Sequence, residues 1–183
     1  MTDFDFEYDP EAPEPALLAF LRTYWNQQRG TGSMPRRQDI SPAQMRAYLP
    51  HILLCDVVRG GEDFRYRLVG SELQRYFKDN PTGRLMSEAL KPFGADTVAR
   101  TIETYAAVVA RHAPLRIRGA GSIYSQAAKT FDALLTPLSS DGIMADMILG
   151  TFEFVWDFRM ARAMPGLVEP DEIALARALR APK

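Results

Sequence analysis

One cysteine, Cys55, and two histidines, His51 and His112, are all that 183 residues offer a metal or a redox centre. A lone cysteine closes no internal disulfide, and two distant histidines without a carboxylate cluster build no zinc or iron site, so no metal is assigned. The scarcity of cysteine suits a reducing compartment, and the cytoplasm is the expected location. No window approaches the roughly 18 uninterrupted apolar residues of a membrane span. Charge of neither sign prevails: 22 basic residues face 23 acidic ones, a net of -1, so no bulk field draws the chain to nucleic acid or to an anionic membrane. Catalytic signatures are missing as well. There is no Gly-x-Ser-x-Gly elbow, and Gly119-Ala120-Gly121 lacks the lysine and helix start of a phosphate loop. No catalytic residue is assigned, and no enzymatic activity is expected.

What is present is one domain's worth of alternating helix and strand patterns. Residues 1–15 form an acidic, proline-containing arm, with neither the basic start nor the apolar run of a targeting peptide. Residues 16–50 carry two helical patterns. Leu17, Leu18, Leu21, Tyr24, Trp25 and Gln28 recur at helical spacing, and Ser41-Pro42 with Gln44 predicts a second, short helix bearing Met45, Tyr48 and Leu49. From 51 to 158 the period changes. Ile52 to Val58 is an apolar run, Gly60-Gly61 a turn, and Phe64, Tyr66 and Leu68 alternate with Arg65 and Arg67, which together predict a β-hairpin. Ser71 is placed to cap a short helix with Leu73, Tyr76 and Phe77, and Asn80 to Gly83 reads as a loop. Val98, Ile102, Tyr105 and Val109 predict a helix over Asp96 to Ala110. Three strands follow, around Leu115 and Ile117, around Phe131, Ala133 and Leu135, and from Met144 to Val155, with Ser139 to Gly142 turning between the last two. Residues 159–183 form a tail with a weak helical pattern after Pro170. Hairpins at both ends of the core point to an α+β fold, an antiparallel sheet with helices on one face.

This order resembles the PAS fold, a five-stranded antiparallel sheet with a helical segment over one face and often a pocket between. Trp25, Arg29, Gly30, Pro35, Arg37, Asp39, Ile40, Pro42, Leu49, Asp56, Tyr66, Arg67, Gly70, Gly83 and Arg84 are similar to the run that marks a bacterial family of stand-alone PAS-like proteins. Leu134 to Leu138 and Gly142 to Gly150 are similar to the last two strands of many PAS domains. The resemblance implies a non-enzymatic sensor or adaptor that takes an unnamed small molecule or a partner protein and relays its state by protein contact.

Haem and flavin are the cofactors to weigh against that fold, and neither is expected. His112 ends a helix, where a histidine is favoured by the dipole, His51 follows Pro50, and Cys55 lies in an apolar strand rather than a flavin-cysteine motif. The arginines Arg36, Arg37, Arg65, Arg67, Arg116 and Arg118 have phosphate-binding chemistry, yet such residues more often line a solvated strand face or pair with carboxylates such as Asp39. Tyr66, Leu68, Tyr105, Phe131 and Phe152 are the residues expected to face a ligand pocket. The helix around Leu17, Leu21, Tyr24 and Trp25 has a wide apolar stripe, which predicts a homodimer interface besides a contact for a signalling partner. Two alternatives stand beside this: a pure dimerisation module with a filled core, and a cone-shaped α+β isomerase or hydratase using Asp132 or Asp146 as a strand-centred carboxylate.

Overall fold

The computed structural model describes residues 13–120 and 128–156. The acidic arm up to residue 12 and the tail with its expected helix after Pro170 lie outside the described residues.

Five strands form one antiparallel sheet: β1 (Ile52–Val58), β2 (Asp63–Val69), β3 (Leu115–Ala120), β4 (Ala128–Leu138) and β5 (Met147–Trp156), in the order β2-β1-β5-β4-β3. The expected α+β sheet is therefore present. Short helices α2 (Ser71–Gln74) and α3 (Met86–Ala89) and the long α4 (Ala95–Arg111) supply one layer, and α1 (Ala16–Arg29) supplies another.

Those layers cover opposite faces, and the strand period shows why. Along β1, Ile52 and Leu54 belong to one buried cluster while Leu53 and Cys55 belong to a second, as successive side chains of a strand must. The second cluster contains Tyr105 and Val108 of α4 and Met86 of α3. The first contains Leu18, Leu21, Tyr24 and Trp25 of α1 with Met34, Ile40 and Met45. A sheet of this composition is apolar on both faces, so helices on one face alone would leave Ile52, Leu54, Leu134 and Leu149 in water. Trp25 seals the α1 side: its indole Nε1 donates to the carbonyl of Pro137 at 2.7 Å.

Several local expectations are corrected. Residues 42–48 form consecutive turns rather than a helix, with Tyr48 and Leu49 amides both donating to the Met45 carbonyl, and Pro50 sits inside a 3₁₀ turn over Leu49–His51. Gly70, not Ser71, is the N-cap of α2; its carbonyl accepts from the Leu73 and Gln74 amides. The helix α3 carried no expectation from the sequence, because four residues are too few to show a period. The last strand begins at Met147 rather than Met144, since the Asp141 carboxylate gathers the Ile143 and Met144 amides into the preceding loop.

Leu68 is the largest correction, because it faces solvent, 41% exposed, where a pocket residue was expected. Leu54 pairs with Leu68 but Cys55 pairs with Tyr66, so Arg67 is one residue too many for β1. Such a bulge reverses the parity of a strand beyond it. Tyr66 and Val69 consequently share the α4 face, and Leu68 between them turns away.

The Asp141 loop carries a pH signature. Its carboxyl is held down at about 2, against an ordinary 3.8, chiefly by the Ile143 and Met144 amides and then by the Ser139 hydroxyl. A depressed carboxylate contributes its stabilisation above its ordinary value and loses it as pH falls toward the folded value. Amide exchange at Ile143 and Met144 is expected to accelerate relative to the β4–β5 ladder between about pH 4 and pH 2. Asp141→Asn should show that faster exchange already at neutral pH. Unchanged relative protection at pH 2 would show that the loop is held by other contacts.

Candidate functional site

On the α4 face, a small apolar cavity of about 30 Å³ lies among Leu53, Tyr66, Leu73, Tyr76, Phe77, Leu90, Thr101, Tyr105, Phe152 and Phe154. β1 and β5 form its floor, α4 its roof through Thr101 and Tyr105, and α2 with the segment after it one side. Its walls are largely aromatic: Tyr66 packs edge to face on Phe77 with ring centroids 5.4 Å apart, and Tyr105 packs tilted on Phe64 at 5.3 Å. Thr101 adds little polarity, because its hydroxyl donates back to the Thr97 carbonyl at 2.7 Å. A space of this size holds a water molecule and falls far short of the ~300 Å³ that a typical organic ligand needs.

Beside it opens a cleft of about 400 Å³, lined by Ala16, Leu17, Tyr48, His51, Glu72, Leu73, Tyr76, Phe152, Glu153 and Phe154. Leu73, Tyr76, Phe152 and Phe154 belong to both linings, so these four side chains are the partition. Within it Tyr76 stacks on Phe154, the ring centroids 4.0 Å apart. Partial desolvation raises the Glu153 carboxyl above its ordinary value, the neighbouring Asp132 charge adds to this, and the Leu17 amide and His51 draw it back. Although Glu153 is exposed as a residue, its carboxyl thus lies against the first turn of α1.

Three of the five expected pocket residues, Tyr66, Tyr105 and Phe152, line the cavity. Leu68 does not, for the bulge turns it outward. Phe131 is wholly buried one layer behind, packed on Phe152 at 5.9 Å and on Phe154 at 6.3 Å. Leu53, Leu73, Tyr76, Leu90 and Thr101 were not among the expected pocket residues. They come from separate segments of the chain, and Leu73 and Tyr76, in the short helical pattern with Phe77, left a signal in the sequence.

The marked motif builds the frame rather than the cavity. The Arg29 guanidinium lies 5.5 Å from the Trp25 ring. Asp39 accepts from the Arg36 amide at 2.9 Å, and Arg37 Nη1 donates to the Ile40 carbonyl at 3.4 Å, which shapes the turn crossing the end of β4. Arg67 pairs with Asp56 across the hairpin at 2.8 Å, and Arg84 Nη2 donates to the Glu88 carbonyl at 3.3 Å. Gly70 lets β2 pass against the Leu49-Pro50 backbone.

Other candidates separate from the cavity. Asp132 lies on the α1 face, its two oxygens held by Arg116 at 2.9 and 2.6 Å with Arg118 at 3.5 Å, so it cannot act as a base in a cavity on the other face. Asp146 precedes β5 and takes the amide and hydroxyl of Ser140. His112 caps α4 in the left-handed conformation, and His51 borders the cleft rather than the cavity. Cys55 is buried, and burial followed by the charge of Asp56 pushes its thiol well above the ordinary value, which makes it an inert core residue. The apolar stripe of α1 is largely used within the chain: Leu21, Tyr24 and Trp25 are buried against the sheet, and Leu17 is half-buried at the cleft. These buried side chains pack on a face of the sheet that is itself apolar.

Comparison with known families agrees with this architecture. Residues 14–153 match the family model of the PAS domain. The chain belongs to the PAS domain family. The match includes α1 and extends into β5, so the second-face cover is part of this PAS domain rather than an appendage. No curated protein and no solved structure matches the chain significantly. A PAS domain is a sensory or interaction module, and no helix among the described residues is long and apolar enough to cross a membrane.

Proposed function

We propose that this PAS domain is a non-enzymatic sensor whose small-molecule ligand enters from the cleft, joins it to the cavity by displacing Tyr76 from Phe154, and is reported to a signalling partner through α1. The observation that carries this reading is the shared wall: cavity and cleft have Leu73, Tyr76, Phe152 and Phe154 in common, and the cleft is also lined by the first turn of α1 at Ala16 and Leu17. Rotating one tyrosine ring costs little against the apolar area that a ligand would bury. The cleft supplies the volume that the cavity lacks.

A fragment screen followed by NMR tests it, with Thr101→Leu as the blocked form, since the larger side chain occupies a space only about 30 Å³ in volume. Bound fragments are expected to move the resonances of Tyr66, Tyr76, Tyr105 and Phe152, and to lose roughly tenfold or more in affinity in Thr101→Leu. Fragments that leave those resonances unmoved, or that bind the variant equally well, would contradict the proposal and favour the filled-core dimerisation module.

A further inference from the structure

We infer that the ligand is an organic cation, an alkylammonium whose head sits in the cleft and whose chain points toward the apolar cavity. This rests on the ligand-binding reading above and gives its ligand a chemical class.

The cleft exists because β1 stops short of its neighbour. The β1–β5 ladder ends with Ile52 opposite Thr151, while β5 continues to Trp156 paired with β4. The resulting notch is bordered by α1, by Tyr48 and by α2. Two carboxylates stand on different walls, Glu72 from α2 and Glu153 from β5, and among the described residues no lysine or arginine belongs to the lining. Among the described residues, His51 is the remaining titratable group of the lining besides the tyrosines.

Glu72 has an ion-pair partner in Arg75 at 3.0 Å, but both side chains are about one-third exposed, and such a pair exchanges readily for a ligand's charge. Glu153 is already partly desolvated, and among its described neighbours only an amide and His51 favour its charge. An ammonium placed beside it would do so more strongly. The rings of Tyr48, Tyr76, Phe152 and Phe154 line the same cleft, and the last three also border the cavity. Aromatic faces attract ammonium groups and give an anion nothing, while the two carboxylates repel one. A neutral ligand would fill the apolar end equally well but leave the carboxylates without a new partner. Charge and shape thus agree on an apolar chain with a cationic end.

The experiment is a calorimetric or NMR titration of the full chain at neutral pH with hexylammonium, hexanol and hexanoate. Hexylammonium is expected to bind about tenfold more tightly than hexanol, and hexanoate more weakly than either. In the Glu72→Gln/Glu153→Gln double variant, with its melting temperature checked, hexanol affinity should hold and the preference for hexylammonium should fall to about twofold or less. Hexanol binding as tightly as hexylammonium would overturn the inference while leaving the ligand-binding reading in place. A preference that survives in the double variant would also overturn it, by placing the cation elsewhere. Binding of none of the three would overturn both.

Discussion

Gly70→Ala is expected to destabilise the domain by roughly 3 kcal/mol or more, far beyond a usual glycine-to-alanine change. Backbone conformation is not the reason, since Gly70 has φ -62° and ψ 154°, which any residue adopts. The obstacle is proximity: a Cβ at this position would overlap the carbonyl oxygens of Leu49 and Pro50. Those atoms are backbone and cannot rotate aside. The strand is also pinned there, because the Gly70 amide donates to the Ile52 carbonyl at 2.8 Å. Relief would mean separating the end of β2 from the turn that leads into β1. Gly83→Ala is the control: its φ of 85° makes alanine strained, but nothing lies within 4 Å of the added carbon. A cost of about 1 to 2 kcal/mol is expected there. Denaturant unfolding of both variants measures the difference, and a Gly70→Ala cost no larger than that of Gly83→Ala would show that the approach is looser than described.

Trp25→Ala is expected to cost about 3 to 5 kcal/mol, the range for deleting a buried large aromatic. The side chain is only 2% exposed, sits between α1 and the sheet, and satisfies the Pro137 carbonyl in the middle of the apolar layer. Trp25→Phe keeps much of the packing and removes the donor, so it should cost less, about 1 to 3 kcal/mol from the unsatisfied carbonyl. An interface anchor would behave differently. It would give unfolding midpoints that depend on protein concentration, and Trp25→Ala would lower the oligomer fraction with under about 1 kcal/mol lost from the monomer.

The two variants bracket what sequence reasoning could see. Strand and helix periods made the five strands, α1 and α4 legible, because each repeats its pattern over enough residues to be read locally. Leu68 was misplaced because a bulge is a property of two paired strands: Phe64, Tyr66 and Leu68 alternate perfectly until β1 supplies one residue too few. The stripe of α1 was assigned to a second copy because one face of the sheet was counted as core. The alternation of Ile52, Leu53, Leu54 and Cys55 holds the information that both faces are apolar, and two such faces need two covers. The candidate site was half legible for a similar reason. Tyr66, Tyr105 and Phe152 lie on long, strongly patterned elements, so their facing follows from period alone. Tyr76, Leu90 and the cleft carboxylates enter through short helices and through the staggered ends of β1 and β5, which no single segment encodes.

The coupling between the ligand space and α1 is the centre of this account, and amide hydrogen exchange with and without a saturating fragment from the screen measures it most directly. Ligand occupancy is expected to change exchange in the first turns of α1, from Ala16 to about Leu21, and in α2, while the β4–β5 ladder at Leu135 to Ile148 stays as it was. Altered exchange around Tyr66 and Tyr105 with α1 unmoved would contradict it, because the cavity would then bind a ligand without informing the element proposed to report it.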